Sequence, residues 1–280
     1  DKEHLDFYKK FNVLQRSFQA FVEKTPSFGK SIICKDDLYN KKLIKNLKTK
    51  NYLTYGFDSG SNFNIHKVIK KINFSKFDVK LNLVGKKQIN LKNFEIPLLG
   101  DHNIRNATAA IAVGLSIGIK INIIKKALKN FIGVQRRFNK IFSIGKIDFY
   151  DDYAHHPTEI KALLTGIKSV HRSRKIISVF QPHRFSRIRL LKREFAEAFK
   201  HCEEVVLCPV YPAGEKINKY FDYHLFGKLI AKKSHVRVII LKSENDLLNY
   251  FKKNLFDNEL VVCMGAGSIS SWIKSISKKL

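Results

Sequence analysis

Between Asp148 and Ala162 the sequence reads DFYDDYAHHPTEIKA, a density of titratable groups uncommon in a solvated loop. Buried without partners, such groups would cost about 2–7 kcal/mol each. The residue types admit three chemistries. Asp152 and its neighbours could hold a cation or ribose hydroxyls, His155 and His156 could move a proton or contact an anion, or the stretch could be a polar strand-to-helix loop. A metal centre fits poorly, because adjacent histidines point apart and no third ligand stands at a suitable spacing. Pro157, Thr158 and Glu159 make a favourable helix start. A second cluster, QPHRFSRIR, contains His183, Arg184 and Arg187. Three residues apart, the two arginines would share a face of a helical turn and could clamp a carboxylate or phosphate. Arginine at a helix N-terminus opposes the helix dipole, which argues for a use other than stability. A third, GDHNIRNATAA, sets His102, Asn103 and Asn106 at a helix start, where amides can read a base edge or cap the helix. GAGSISS near the C-terminus is half a dinucleotide fingerprint without its third glycine, and reads better as a close-packed strand-to-helix turn.

The elements that must position these clusters follow from hydrophobic period. Leu5, Tyr8, Phe11, Leu14, Phe18 and Phe21 recur at helical spacing and predict a helix to about Thr25. A short strand at KSIIC and a helix over DDLYNKKLIKNLK follow, and alternation from Tyr52 to Leu99 predicts a β-rich section. The next helix carries Ala107, Ala109, Ala110 and Ala112 as a small-residue face for close packing on a sheet. Beyond about Gln135, apolar strand runs (KIDFYDD, RKIISVFQP, EVVLCPVY, VRVIILK, ELVVCMGAG) alternate with amphipathic helices. That rhythm predicts an α/β fold with a mostly parallel, doubly wound, Rossmann-like sheet in the C-terminal half. Such sheets bind ligands beyond the carboxyl ends of their strands, where DDYAHHP and QPHRFSR both fall. The boundary is expected near GVQRRFNK, giving domains 1–134 and 135–280.

Composition narrows the classes. The chain has 280 residues, 44% of them hydrophobic, with 52 Lys+Arg against 24 Asp+Glu for a net charge of +28. Its lysines lie in dispersed pairs rather than on one basic arm, so nucleic-acid binding is not expected, while attraction of an anionic small molecule is compatible. No apolar run approaches the ~18–20 residues that span a bilayer, so no membrane partner is expected. Four scattered cysteines without metal spacing fit reduced structural thiols in a cytoplasmic protein. The first residue is Asp1 rather than Met, as expected of a piece of something longer.

Taken together and in order, HLDFY, GDHNIRNATAA, GVQRRF, DDYAHHPTEI, FQPHRFSR, YPAGE and MGAGSIS resemble the Mur ligases over essentially the whole chain. The resemblance implies the latter part of a central P-loop-type ATPase domain followed by the family's C-terminal domain. It implies a cytoplasmic enzyme of peptidoglycan precursor synthesis that uses ATP and Mg²⁺ to join an amino acid to a UDP-muramyl carboxylate through an acyl phosphate. The His-Arg-x-x-Arg pattern favours the branch whose substrates are UDP-N-acetylmuramate and L-alanine. The alternatives are the branch that recycles murein tripeptide and a non-catalytic basic remnant that binds polyanions. By resemblance, His4 is the Mg²⁺-associated histidine, with Glu3 standing where aspartate is usual. His102, Asn103, Asn106, Arg137 and Asp152 become ATP-binding residues. Tyr153, His155, His183, Arg184 and Arg187 line the amino-acid pocket, with His155, Arg184 and Arg187 catalytic. Two departures stand out. Pro212 replaces a common alanine in YPAGE, and the sequence holds no G-x-x-x-x-G-K-[ST] run. The family's phosphate loop and UDP-binding domain are therefore expected in a missing N-terminal region of the same ligase. Without them this chain alone should be inactive.

Overall fold

A computed structural model describes residues 5–280, so His4 lies outside the described residues. The chain divides into two compact units, Asp1–Ile132 and Gly133–Leu280. In chain order the first contains α1 (Leu5–Tyr8), α2 (Phe11–Glu23), β1 (Ser31–Cys34), α3 (Leu38–Asn46), β2 (Tyr52–Gly56), β3 (Phe63–Lys70), β4 (Ser75–Leu81), β5 (Ile89–Ile96), α4 (Asp101–Ser116) and α5 (Ile121–Lys129). Its sheet runs β1-β2-β3-β4-β5, parallel across the first three strands and antiparallel across the last two pairs. The long first helix expected from its apolar spacing is two: Lys9 adopts a left-handed φ of 61° and Lys10 is extended, so the helix restarts at Phe11. The core joins Phe63, Ile65, Phe77, Val79 and Phe94 of the sheet to Ile104, Ala107, Ile111 and Ala112 of α4. The packed face of α4 is thus Ile104-Ala107-Thr108-Ile111-Ala112. Ala110 faces solvent, contrary to the four-alanine face expected, because the helical period selects 104, 107, 108 and 111 together.

The second unit contains β6 (Asn139–Ile144), β7 (Ile147–Asp152), α6 (Pro157–Val170), β8 (Lys175–Phe180), α7 (Phe185–Leu190), α8 (Lys192–Ala196), β9 (Glu204–Leu207), α9 (Tyr223–Ser234), β10 (Arg237–Ile240), α10 (Glu244–Asn254), β11 (Glu259–Met264) and α11 (Ile269–Ile276). Strand order is β10-β9-β8-β11-β7-β6, all parallel except the β6–β7 hairpin. β9 and β11 are buried throughout, which explains their unbroken apolar runs. One sheet face packs against α6, α7, α8 and α9 through Leu164, Ile188, Phe195 and Phe226, the other against α10 and α11 through Leu247, Phe251 and Ile273. The sheet is doubly wound, as the strand–helix alternation predicts. α5 and β6 were not anticipated. α5 hides its apolar side among lysines, and β6 is a partly exposed edge strand recruited by β7 across the Gly145–Lys146 turn.

Candidate active site

Register brings three strand ends level: Met264 of β11 lies opposite both Asp152 of β7 and Phe180 of β8. The loops leaving those ends are DYAHHP, QPHRFSR and GAGS, so two of the clusters chosen on chemistry share one edge of the sheet with the glycine turn. Asp152 begins the first loop. It is only 5% exposed, and its carboxylate accepts from the backbone N–H of Ala154 at 2.7 Å and of Phe138 at 2.8 Å. Burial pushes its pKa up to about 6, against the opposing pull of those amides and of Arg137. In this fold Asp152 braces the RRF loop onto β7, and a ribose contact would have to share an already occupied carboxylate.

Glu159 does for the next turn what Asp152 does for the first. Its Oε2 accepts from the backbone N–H of His155 at 3.0 Å and of His156 at 3.2 Å, and Nδ1 of His156 accepts from the Thr158 N–H at 3.3 Å. With Pro157 in the first turn, the start of α6 satisfies its own amides and fixes both histidines. His156 is buried as the N-cap, whereas His155 turns to the site. The Nδ1 of His155 lies 2.9 Å from the Tyr153 carbonyl and 3.5 Å from Glu159 Oε2. Tyr153 meets the His155 ring edge to face at 5.2 Å and is covered by the Arg136 guanidinium at 4.7 Å and that of Arg137 at 5.8 Å. Arg137 is half exposed and lies 3.8 Å from Glu159.

The second loop carries His183, whose ring stacks on Tyr211 at 5.7 Å and faces His155 at 5.6 Å. Arg187 Nη1 donates to His183 Nδ1 at 3.1 Å. Burial first, then the charges of Arg187, His155 and Arg184, lower the His183 pKa to about 4, so the ring is neutral near pH 7. Arg187 sits on α7, but Arg184 does not share its helical turn. Arg184 is the N-cap, with φ 69° and ψ 131°, and its N–H donates to the Tyr211 carbonyl at 2.9 Å. The expected side-by-side pair on one helix face is therefore replaced by two arginines on different backbone conformations of one short loop. Glu215 of YPAGE holds the same loop through the Ser186 N–H at 3.2 Å and the Ser186 hydroxyl.

The glycine turn closes the edge. A Cβ on Gly267 would lie 2.4 Å from the Tyr211 ring and 2.6 Å from Gln181 Oε1, so only glycine lets the turn approach. Gln181 spans it, accepting from the Ile269 N–H at 2.9 Å and donating to Ser268 Oγ at 3.0 Å. Arg136 donates to the Gly265 carbonyl, with its Nε 3.7 Å from the buried Asp151. Ser270 in turn donates to Asp151 at 2.5 Å. Arg136, Asp151, Glu159, Gln181 and Tyr211 were not read as site-forming from sequence. Only the Arg-Arg doublet signalled one of them.

In the first unit, α4 presents His102 half-buried and Asn106 exposed, while the Asn103 amide donates to the Leu99 carbonyl at 2.7 Å. The N-cap of α4 is Gly100, so the capping reading of this motif is not realised in Asn103, whose amide donates to a carbonyl instead. Arg105 between them pairs with Asp36 at 2.6 Å and lies over Phe57 at 5.2 Å. Among the described residues no group of three or more His, Cys, Asp or Glu side chains is gathered to hold a metal ion. Nor is any helix long and apolar enough to cross a membrane.

Residues 136–267 match the Mur ligase glutamate ligase domain and residues 1–114 the Mur ligase middle domain. The chain belongs to the Mur ligases. It is 50% identical over 276 residues to the UDP-N-acetylmuramate–L-alanine ligase of Pelagibacter ubique, covering 99% of this chain and 60% of that protein. To the enzyme of the same name from Rickettsia prowazekii it is 36% identical over 290 residues, covering 100% and 58% respectively. In fold it is similar to the crystal structure of a UDP-N-acetylmuramate-alanine ligase from Thermotoga maritima, with a TM-score of 0.75 and 24% identity over 99% of this chain and 57% of that one. The chain therefore spans about 60% of the length of the first of these curated relatives.

Proposed function

We propose that this chain is the latter part of the middle domain, to about residue 134, and the C-terminal domain of a ligase that joins L-alanine to UDP-N-acetylmuramate at the expense of ATP. The observation that carries this reading is the edge formed by the ends of β7, β8 and β11. There a neutral imidazole, a second imidazole and two arginines are held by buried braces in a space edged by Tyr153 and Tyr211. A small zwitterion needs that combination: cations for its carboxylate, and uncharged or basic groups beside its amine. Arg184 and Arg187 are assigned to the alanine carboxylate, and Tyr153, His155 and His183 to the rest of the pocket. In ATP-dependent ligation of this class the acid is activated as an acyl phosphate, which the amine attacks. His102, Asn103 and Asn106 are assigned to the nucleotide side, with Arg137 on the ATP ribose and phosphates and Asp152 positioning the Arg137 loop. The family uses Mg²⁺ to neutralise phosphate charge. The described residues gather no donor set for it and His4 lies outside them, so no step here is routed through the ion.

Steady-state kinetics of the complete ligase carrying this sequence tests the assignment. Arg184→Ala should raise the KM for L-alanine by tenfold or more, about 1.4 kcal/mol, with a smaller change for ATP. Equal increases in both would refute the carboxylate clamp.

A further inference from the structure

Four aromatic rings stand in a row along the site. Tyr153 meets His155 at 5.2 Å, His155 meets His183 at 5.6 Å, and His183 stacks on Tyr211 at 5.7 Å. Both ends of that row come back to one side chain. The Arg136 guanidinium covers the Tyr153 ring at 4.7 Å, and the Tyr153 N–H donates to the Arg136 carbonyl at 2.7 Å. At the other end the Tyr211 ring packs so closely on Gly267 that a Cβ there would lie 2.4 Å from it. Arg136 Nη2 lies 3.5 Å from the carbonyl of that same glycine and donates to the carbonyl of Gly265. We propose that Arg136 is a positioning residue that sets the size limit of the amino-acid pocket. It holds Tyr153 directly and Tyr211 through the glycine turn, so the two ends of the row keep a fixed spacing. This deepens the proposed function and rests on its reading of the pocket as an amino-acid site.

A guanidinium suits both contacts at once. It is planar, so its face can cover a ring while the donors on its edge reach carbonyls. A lysine ammonium has no such face and no fixed fork. The Arg136 side chain is 25% exposed and is itself held in place. Its Nε is buried, makes no hydrogen bond among the described residues, and lies 3.7 Å from Asp151 Oδ2. That separation balances charge without fixing direction, so the direction comes from the ring and the carbonyls. Asp151 is 1% exposed and accepts from Ser270 Oγ of α11 at 2.5 Å, which anchors the balancing charge on the helix that follows the glycine turn. The turn cannot retreat either. A Cβ on Gly265 would lie 2.6 Å from the Gln181 carbonyl, so the turn already touches the end of β8. A substrate side chain larger than methyl must then displace one end of the row. Where pocket walls are fixed, one methylene changes discrimination by roughly 10–200-fold.

The ratio of kcat/KM for L-alanine to that for L-2-aminobutyrate in the complete ligase tests the size limit. The wild type should prefer L-alanine by about tenfold or more. Arg136→Met keeps the length of the side chain and loses its charge and donors. It should cut that preference by about fivefold or more, with the KM for ATP changed by less than about twofold. Arg136→Lys keeps a cation beside Tyr153 and should fall between the two, and it supplies the same readings if the methionine variant does not fold. Fluorine spectra of protein labelled with 3-fluorotyrosine read the rings without turnover, with Tyr153→Phe, Tyr211→Phe and Tyr250→Phe assigning three signals. Arg136→Met should shift those of Tyr153 and Tyr211 and leave in place that of Tyr250, which packs on the other face of the sheet. Unchanged selectivity, or a shift of the Tyr153 signal alone, overturns the proposal. A rise in the KM for ATP with selectivity unchanged also overturns it and makes Arg136 a nucleotide contact. If both signals shift but the complete ligase joins neither amino acid, the amino-acid reading of the pocket fails, and the size limit with it. If L-alanine is ligated and Arg136→Met leaves the preference intact, that reading stands and only this inference falls.

Discussion

Asp36 lies 69 residues from Arg105 in sequence, yet it organises the start of α4, and removing it gives a measurable test of that role. Its Oδ2 accepts from Arg105 Nε at 2.6 Å and from the Phe57 N–H at 3.0 Å, and its Oδ1 accepts from the Asp58 N–H at 2.9 Å. The side chain is 14% exposed and that of Arg105 34%. Asp36→Ala strands a half-buried cation and two backbone donors. Breaking one partner of such a buried pair costs about 3–5 kcal/mol, here reduced to about 3 kcal/mol by the water that reaches Arg105. Gly56 provides the internal control. With φ at 147°, its Cβ position lies 2.4 Å from Asp36 Oδ1, so Gly56→Ala drives the carboxylate off its partners. In the Asp36→Ala background that collision is gone. The two substitutions should therefore be non-additive, the double variant being about 1–2 kcal/mol more stable than the sum of singles. Urea unfolding reads this cleanly, because Trp272, the sole tryptophan, lies on α11 and reports the second unit, while far-ultraviolet circular dichroism reports both. The dichroism transition should shift and the tryptophan transition should not. pH adds a sign. Burial raises the Asp36 pKa, but the Arg105 bond and the two N–H groups outweigh it and hold the group below 3.8. Its contribution is thus present above pH 3.8 and lost as pH falls through the lower folded value. Additive costs, or an Asp36→Ala cost under about 1 kcal/mol, would refute the reasoning.

Two further predictions concern the second unit and the chain as a whole. Asp152 has the opposite linkage: its folded pKa of about 6 lies above the unfolded 3.8, so the native state binds the proton more tightly. That stabilisation is full below the unfolded value and disappears as pH rises through about 6. At ~1.4 kcal/mol per unit, wild-type protein should lose roughly 3 kcal/mol relative to Asp152→Asn between about pH 4 and 7, and a flat difference curve would contradict it. The isolated 280-residue chain, which holds no G-x-x-x-x-G-K-[ST] sequence, should release no phosphate from ATP in the presence of UDP-N-acetylmuramate and L-alanine. Measurable turnover in a phosphate assay would show that its residues suffice without that loop.

What could be read from sequence was local, and what could not was contributed from far away. β7, β8 and β11 announce themselves as apolar runs, and the loops after them are recognisable because polar residues of unusual type follow at once. His155 and His183 were therefore visible, and the sheet register then set their loops side by side. Asp152 was visible as a residue but not as a brace, because its donors are the amides of Phe138 and Ala154. Arg137 stood out in the doublet, whereas its neighbour Arg136 is the one that reaches Gly265 and the buried Asp151. Periodicity cannot distinguish adjacent residues in a loop. Glu159 looked like an ordinary acidic residue at a helix start, a role it fills while also orienting His155.

Backbone conformation is where sequence reasoning had least purchase, and it makes a sharp final test. Arg136, Phe138 and Arg184 all adopt positive φ, and none is a residue type that favours it. Arg184, at φ 69° and ψ 131°, occupies a region that glycine alone enters freely. Holding it there costs about 1–3 kcal/mol. The conformation persists because the Arg184 N–H is taken by the Tyr211 carbonyl and because Glu215 pins Ser186 two residues on. If that cost is accepted in order to aim a guanidinium, stability and function should separate at this position. Arg184→Gly should be more stable than Arg184→Ala by about 1 kcal/mol, because glycine relieves the strain despite its freer unfolded chain. Both variants should lose L-alanine affinity equally in the complete ligase, since neither carries the cation. Chemical denaturation and the KM for L-alanine measure the two effects independently. An alanine variant as stable as the glycine variant would mean that the backbone at Arg184 is unstrained. The left-handed turn would then be a consequence of the loop's course rather than a device that aims the arginine.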